Sequence, residues 1–89
     1  MSDFDTTNIL EQALLITGGD RQNNYGSPKE NWERTVAIFN AMTGRDLMPA
    51  EAVKFAIAMK LARLHQTPDH MDSIVDLAGY AWVYSEVAR

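Results

Sequence analysis

The chain has 89 residues, of which 46% are apolar and 22% are charged, and its formal net charge is −4. This length makes one helical domain, which we expect to span residues 1–89, and the apolar content is sufficient for a core. The acidic balance argues against a protein whose main partner is a nucleic-acid backbone, because such proteins need a basic surface. Cysteine is absent, which excludes disulfides, zinc–thiolate sites and thiol nucleophiles.

The termini and the apolar segments indicate no membrane association. Residues 1–6 are expected to be disordered, and the acidic start MSDFDTTN lacks the apolar stretch of a signal peptide. The longest nearly apolar run, residues 52–64, contains three cations and is too short to span a bilayer. We therefore expect a cytoplasmic protein.

The first helix is predicted to begin near Thr7 or Asn8 and to end at Gly18-Gly19. A loop follows over residues 20–27, and it carries Arg21 and Tyr25. This loop has two interpretations. It is either a surface connector with one aromatic packed on the bundle, or a ligand-closing loop in which Tyr25 stacks on a base and Arg21 reaches a phosphate.

The second helix has the clearest start, because Ser27 suits the N-cap, Pro28 suits the first helical position and Glu30 completes an S-x-x-E pattern. Gly44 is expected to end it. Its predicted core stripe is Trp32, Val36, Phe39 and Thr43. A neighbouring face carries Glu30 and Glu33; Glu30 is explained by the cap, whereas Glu33 is either a solvent-exposed residue or a functional one.

The third helix is predicted to begin at Pro49, with Glu51 in its first turn. Residues 52–64 are apolar on nearly every side, so this helix is expected either to be central in a bundle or to be covered by a second subunit. Lys60 and Arg63 lie three positions apart and therefore share one face.

The last helix is predicted to begin at Pro68 or Asp69, after a turn at residues 67–69. Its expected core stripe consists of Ile74, Leu77, Ala78, Ala81 and Trp82. Asp72 and Asp76 are four residues apart, an arrangement of like charges that costs about 0.2–0.5 kcal/mol on an exposed helix. Lys60, Arg63 or a Mg²⁺ ion lying between the two carboxylates would remove this cost.

Together these elements predict an all-α, antiparallel bundle of about four helices, which we expect to be oligomeric because so short a helical chain covers its core poorly. The short turn between the last two helices holds two cations and two carboxylates close together. That combination is typical of a phosphate-and-metal site.

Several segments also carry a resemblance. Tyr25-Gly26, Asn31, Lys60-Leu61-Ala62-Arg63-Leu64 and the string DSIVDLAGY at residues 72–80 resemble a family of small phage and prophage proteins of unassigned function. The similarity covers roughly residues 20–86, and the compartment it implies is the host cytoplasm. That family in turn looks like the MazG-type nucleoside triphosphate pyrophosphohydrolases, which are oligomeric helical bundles that hold Mg²⁺ with carboxylates from two helices.

The MazG-like resemblance implies a role for each acid. Glu30 and Glu33 match the E-x-x-E of the first metal-binding helix, and Asp76 matches the last acid of the later E-x-x-D. Asp72 departs from that pattern, since it is an aspartate and lies four residues, not three, before Asp76.

Three functions remain open. The first is a Mg²⁺-dependent nucleotide pyrophosphohydrolase, in which the acids hold the metal and other side chains bind the nucleotide. The second is a protein that binds or sequesters a nucleotide without chemistry, and the third is a helical module that binds itself or a host protein. The expected catalytic and metal-binding residues are Glu30, Glu33, Asp72 and Asp76, and the expected nucleotide-binding residues are Arg21, Tyr25, Asn31, Trp32, Lys60, Arg63 and Tyr80.

Overall fold

The computed structural model describes residues 8–18 and 27–88, without the side chains of residues 16–18. Within these residues the chain forms four helices and no strand, as predicted. The helices are α1 (Ile9–Gly18), α2 (Pro28–Thr43), α3 (Pro49–Gln66) and α4 (Met71–Val87). The predicted disorder of residues 1–6 and the predicted stop at Gly19 concern positions outside the described residues. No helix of the described part is long and apolar enough to cross a membrane.

The ends of α2 are where the sequence predicts them. The Ser27 hydroxyl accepts a hydrogen bond from the backbone N–H of Glu30 at 3.1 Å, and Pro28 occupies the first helical position. Gly44 ends the helix with φ 72°, a left-handed conformation that glycine adopts without steric cost. Its N–H donates to the Asn40 carbonyl at 2.8 Å.

The start of α3 is also as predicted, whereas α4 begins later than predicted. The Glu51 carboxylate accepts from the Met48 N–H at 2.9 Å, which closes the first turn of α3. Pro68 and Asp69 belong to the turn, because the His70 N–H donates to the Thr67 carbonyl at 3.0 Å. The placement of the α4 start at Pro68 or Asp69 was therefore wrong.

His70 is the N-cap of α4. Its Nδ1 accepts from the Ser73 N–H at 3.3 Å and lies 2.7 Å from the Ser73 hydroxyl, and Ser73 is 1% exposed. A buried polar side chain normally needs such a partner. Sequence analysis missed this pair because histidine is not among the residue types that favour N-caps.

The central helix is α4, which contacts α1, α2 and α3. Of the two alternatives for α3, the central position in the bundle is not observed, and cover by a second subunit stays a prediction. The α4 core is also on a different face from the predicted stripe, since Val75, Gly79, Val83 and Val87 are buried at intervals of four residues. Of the predicted stripe, Ala81 is exposed and the others are half-buried (Ile74, Leu77, Ala78 and Trp82).

The core is built from small side chains. The described apolar residues that are buried are Ala13, Val36, Val53, Val75, Val83 and Val87. Val53, Val83 and Val87 form one cluster, against which half-buried aromatic residues of α2 and α4 pack. The predicted stripe of α2 is only partly correct, because Val36 is buried while Phe39 and Thr43 are exposed.

The connection between α2 and α3 is fixed by one side chain. The Asn40 Nδ2 donates to the Leu47 carbonyl at 3.0 Å, and the Leu47 N–H donates to the Asn40 Oδ1 at 3.0 Å. The amide therefore satisfies both backbone groups of a loop residue that has no helical partner.

We expect Asn40→Ala to lower the free energy of unfolding by about 1–3 kcal/mol, because both hydrogen bonds are lost and each contributes about 0.5–1.5 kcal/mol. Urea denaturation followed by circular dichroism measures this loss. Thr35→Ala is the matched control, since Thr35 is an exposed α2 residue whose hydroxyl bonds only within its own helix. Equal stability of the two variants would contradict the role of Asn40.

Candidate functional site

Lys60 of α3 and Asp76 of α4 form an ion pair, with Lys60 Nζ 2.8 Å from Asp76 Oδ2. Their side chains keep 30% and 32% of their surface exposed, so both remain in contact with solvent. The two residues meet because the short turn at residues 67–70 returns the chain along α3. The sequence predicts this proximity from the spacing of the charges on the two helices.

The surroundings favour the charged form of Lys60. The hydrogen bond to Asp76 raises the pKa of Lys60 above its ordinary value of 10.5, and the charge of Asp76 and the nearby Tyr80 hydroxyl act in the same direction. Partial burial and the positive charge of Arg63 oppose the rise in pKa. Tyr80 and Arg63 therefore lie close enough to Lys60 to act on it electrostatically.

An aromatic pair lies beside this charged group. The rings of Trp32 on α2 and Tyr80 on α4 have centroids 6.3 Å apart and planes at 75°, an edge-to-face arrangement that aromatic rings favour. Both residues are half-buried and pack against the Val53 cluster. Each ring is therefore held in part by the core and remains partly exposed to solvent.

We call these five residues the aromatic–ionic cluster: Trp32, Lys60, Arg63, Asp76 and Tyr80. All five are among the sequence-predicted site residues, and they come from three helices. The cluster combines ring surfaces, two cations and one carboxylate. Such a group can hold a flat, anionic molecule by stacking and charge.

An open pocket of about 320 Å³ borders Asp76 where α1 meets α4. It is lined by Gln12, Asp72, Val75 and Asp76. The two predicted acids of α4 thus share one concave surface. Gln12 was missed by sequence analysis, since nothing in the pattern of α1 distinguishes it from an ordinary exposed residue.

The remaining two acids lie elsewhere. Glu30 and Glu33 are exposed on α2. In the part of the chain that the structure describes, no three histidine, cysteine, aspartate or glutamate side chains are close enough to hold a metal ion. In those same residues every buried side-chain nitrogen or oxygen has a hydrogen-bond partner, so none marks a ligand position.

Within a single chain, the four predicted acids therefore do not lie close enough together to bind one metal ion. Asp76 is instead paired with Lys60, which occupies one carboxylate oxygen. The Mg²⁺ site at Glu30, Glu33, Asp72 and Asp76 stays a prediction.

Of the three other predicted site residues, one lies in the part of the chain that the structure describes. Asn31 is half-buried in α2, next to Trp32, and its carbonyl accepts from the Thr35 hydroxyl at 2.8 Å. Arg21 and Tyr25 lie outside the described residues, so the two interpretations of their loop stay open.

Comparisons with known proteins identify relatives of this chain. A family model described as a domain of unknown function (DUF6378) matches residues 8–88. The chain is similar to the Gene 55 protein of Mycobacterium phage D29, at 37% identity over 73 residues, which is 82% of this chain and 48% of the relative. It is also similar to the Gene 55 protein of Mycobacterium phage L5, at 36% identity over 80 residues, which is 89% of this chain and 51% of the relative.

The chain thus spans about half the length of the curated relatives it matches. No solved structure matches the chain. These findings confirm the predicted resemblance to a phage protein family of unassigned function.

We expect Asp76→Asn to lower the pKa of Lys60, because the variant loses the charged acceptor while partial burial continues to disfavour the ammonium. Side-chain NMR titration of Lys60 measures the change. Since folding raises this pKa, the contribution of the pair to the unfolding free energy is present below pH 10.5 and is lost as the pH rises through the folded value.

That contribution is below about 1 kcal/mol for a pair this exposed. Asp46→Asn, which removes an exposed acid of the α2–α3 loop, is the control. A Lys60 titration that is the same in Asp76→Asn as in the unmodified chain would contradict the assignment of the pair.

Proposed function

Since the chain belongs to the DUF6378 family, whose function is unassigned, we propose from its own residues that it is a nucleotide-binding protein. The observation that carries this proposal is the edge-to-face pair of Trp32 and Tyr80 lying beside the Lys60–Asp76 ion pair. A nucleotide has a flat base and an anionic phosphate chain, and the aromatic–ionic cluster offers a complementary surface for each part.

The base would contact the aromatic pair. A base stacked on an aromatic side chain gains about 1–3 kcal/mol, and every base has a face that can stack. Trp32 and Tyr80 pack against the core, so little side-chain freedom would be lost when a ligand binds to their exposed parts. This rigidity favours a small planar ligand over a flexible one.

The phosphates would contact the cations. A lysine ammonium has three hydrogen-bond donors, and Asp76 accepts from one of them in this structure. Lys60 can therefore bind a phosphate oxygen while it keeps Asp76. Arg63, one turn further along α3 and exposed, would supply a second, bidentate contact to the phosphate.

Between sequestration and hydrolysis, the geometry favours binding without chemistry. Hydrolysis by the MazG-like mechanism needs several carboxylates around Mg²⁺, and the described acids do not converge in that way. Mg²⁺-dependent pyrophosphohydrolysis is kept as the second candidate, because Asp72 and Asp76 share the pocket at α1.

We expect thermal unfolding of the protein to shift upward with one or more members of a panel of nucleoside mono-, di- and triphosphates, measured with and without Mg²⁺. A ligand at 100 times its Kd stabilises the folded state by about 2.7 kcal/mol. Lys60→Ala and Arg63→Ala should lose the shift because the phosphate loses its cations, and Trp32→Ala should lose it because the base loses its ring.

Arg34→Ala is the control, because Arg34 is an exposed cation of α2 that points away from the buried Val36. It should keep the full shift. A shift that needs Mg²⁺ would favour the hydrolase, whereas a shift without Mg²⁺ would favour the sequestering protein. A panel in which no nucleotide changes the unfolding temperature would overturn the proposal.

A further inference from the structure

The larger apolar side chains of this protein lie mostly outside its core. Among the described residues, the buried apolar side chains are valines and one alanine, while α1, α2 and α3 each expose large apolar side chains. The largest examples include Leu10 at 74%, Met42 at 78% and Phe55 at 68% exposed. Scattered exposed apolar residues are normal in monomers, but a continuous apolar surface marks an interaction site.

The exposed residues of α3 form one such surface. Phe55, Ala58, Met59 and Ala62 are all exposed and follow the spacing i, i+3, i+4, i+7, which places them on one stripe of the helix. Val53, which is 0% exposed, lies on the opposite side. Helix α3 therefore has two apolar faces, and α4 and α2 cover only one of them.

We propose that the outward stripe of α3 binds the same stripe of a second copy of this chain, with the two α3 helices antiparallel. The stripe suits a two-fold contact because it is self-complementary. Around an axis near Ala58 and Met59, the phenyl ring of Phe55 would face the small Ala62 of the other copy. Alternating large and small residues allow two helices to approach closely.

Charge favours the antiparallel direction. The N-terminal end of the outward side carries Glu51, and the cation Arg63 lies beside the C-terminal end of the stripe. Antiparallel pairing places the acidic end of each helix next to the basic end of the other. Parallel pairing would place like charges and like helix-dipole ends together.

The stripe is apolar enough for a contact between two helices. Phe55 and Met59 are each more than half exposed, and Ala58 and Ala62 complete the stripe. Exposed polar residues beside it, among them Glu51 and Arg63, would form the rim of the contact.

This surface overlaps the proposed nucleotide site only at Arg63. Lys60 lies on the inward side of α3 with Val53, so a second copy on the outward stripe would leave Lys60 and Asp76 uncovered. Loss of association therefore need not affect nucleotide binding, and the failure of one proposal would leave the other in place.

The test is the mass of the protein in solution, measured by sedimentation velocity across a wide range of protein concentration. We expect twice the chain mass of 10.0 kDa for the unmodified chain and half that mass for Met59→Glu. Leu61→Glu is the matched control, because Leu61 is 54% and Met59 is 58% exposed on the same helix while only Met59 belongs to the stripe. Leu61→Glu should stay dimeric.

Circular dichroism should give the same helix content for both variants, since both positions face solvent in the single chain. A monomeric unmodified chain would overturn the proposal. A dimer that Met59→Glu leaves intact would also overturn it, because the contact would then lie on another surface.

A second measurement tests the pairing direction. The chain has no cysteine, so a single introduced cysteine reports only on its own position. Under oxidation Ala58→Cys should form an intermolecular disulfide in high yield, since position 58 lies next to the axis and the two Cα atoms of a disulfide lie about 4.4–6.8 Å apart. Ala62→Cys should not, because position 62 faces position 55; efficient cross-linking at position 62 would overturn the antiparallel arrangement.

Discussion

The structure depends on the close approach of three helices to α4. Buried residues at every fourth position of α4 are three valines and Gly79, and none of these side chains extends far from the helix axis. Neighbouring helices can therefore come near the α4 backbone, which favours the packing of ridges into grooves. The half-buried aromatics then close the edges of this narrow core, as Trp32, Tyr80 and Tyr84 do around Val53 and Val83.

The candidate site follows from that packing. Because α3 lies along α4, Lys60 meets Asp76, and because α2 packs on both helices, Trp32 meets Tyr80. The charged and aromatic groups are thus held by the same core contacts that define the fold. Binding of a ligand there would require little rearrangement, which is the usual advantage of a site built on helices rather than on loops.

Local signals in the sequence predicted most helix ends, since Ser27, Gly44 and Pro49 each act through contacts within four residues. Spacing also predicted that Lys60 and Asp76 would meet. The buried face of α4 and its central position were not predictable in this way. A stripe of large apolar residues does not by itself tell which face of a helix the neighbouring helices cover. The same limit applies to the four acids, since their convergence depends on how α2 is rotated relative to α4.

The double hydrogen bond of Asn40 also bears on how the chain folds. It joins positions only seven residues apart, and loops of about this length close within about 10–100 ns. The α2–α3 pair can therefore assemble from contacts that are near in sequence. Docking of α1 onto α4 joins segments far apart in sequence and carries a larger loop-closure entropy, so we expect it at a later stage of folding. We therefore expect the pocket that Gln12 shares with Asp72 and Asp76 to be among the last features of the molecule to form.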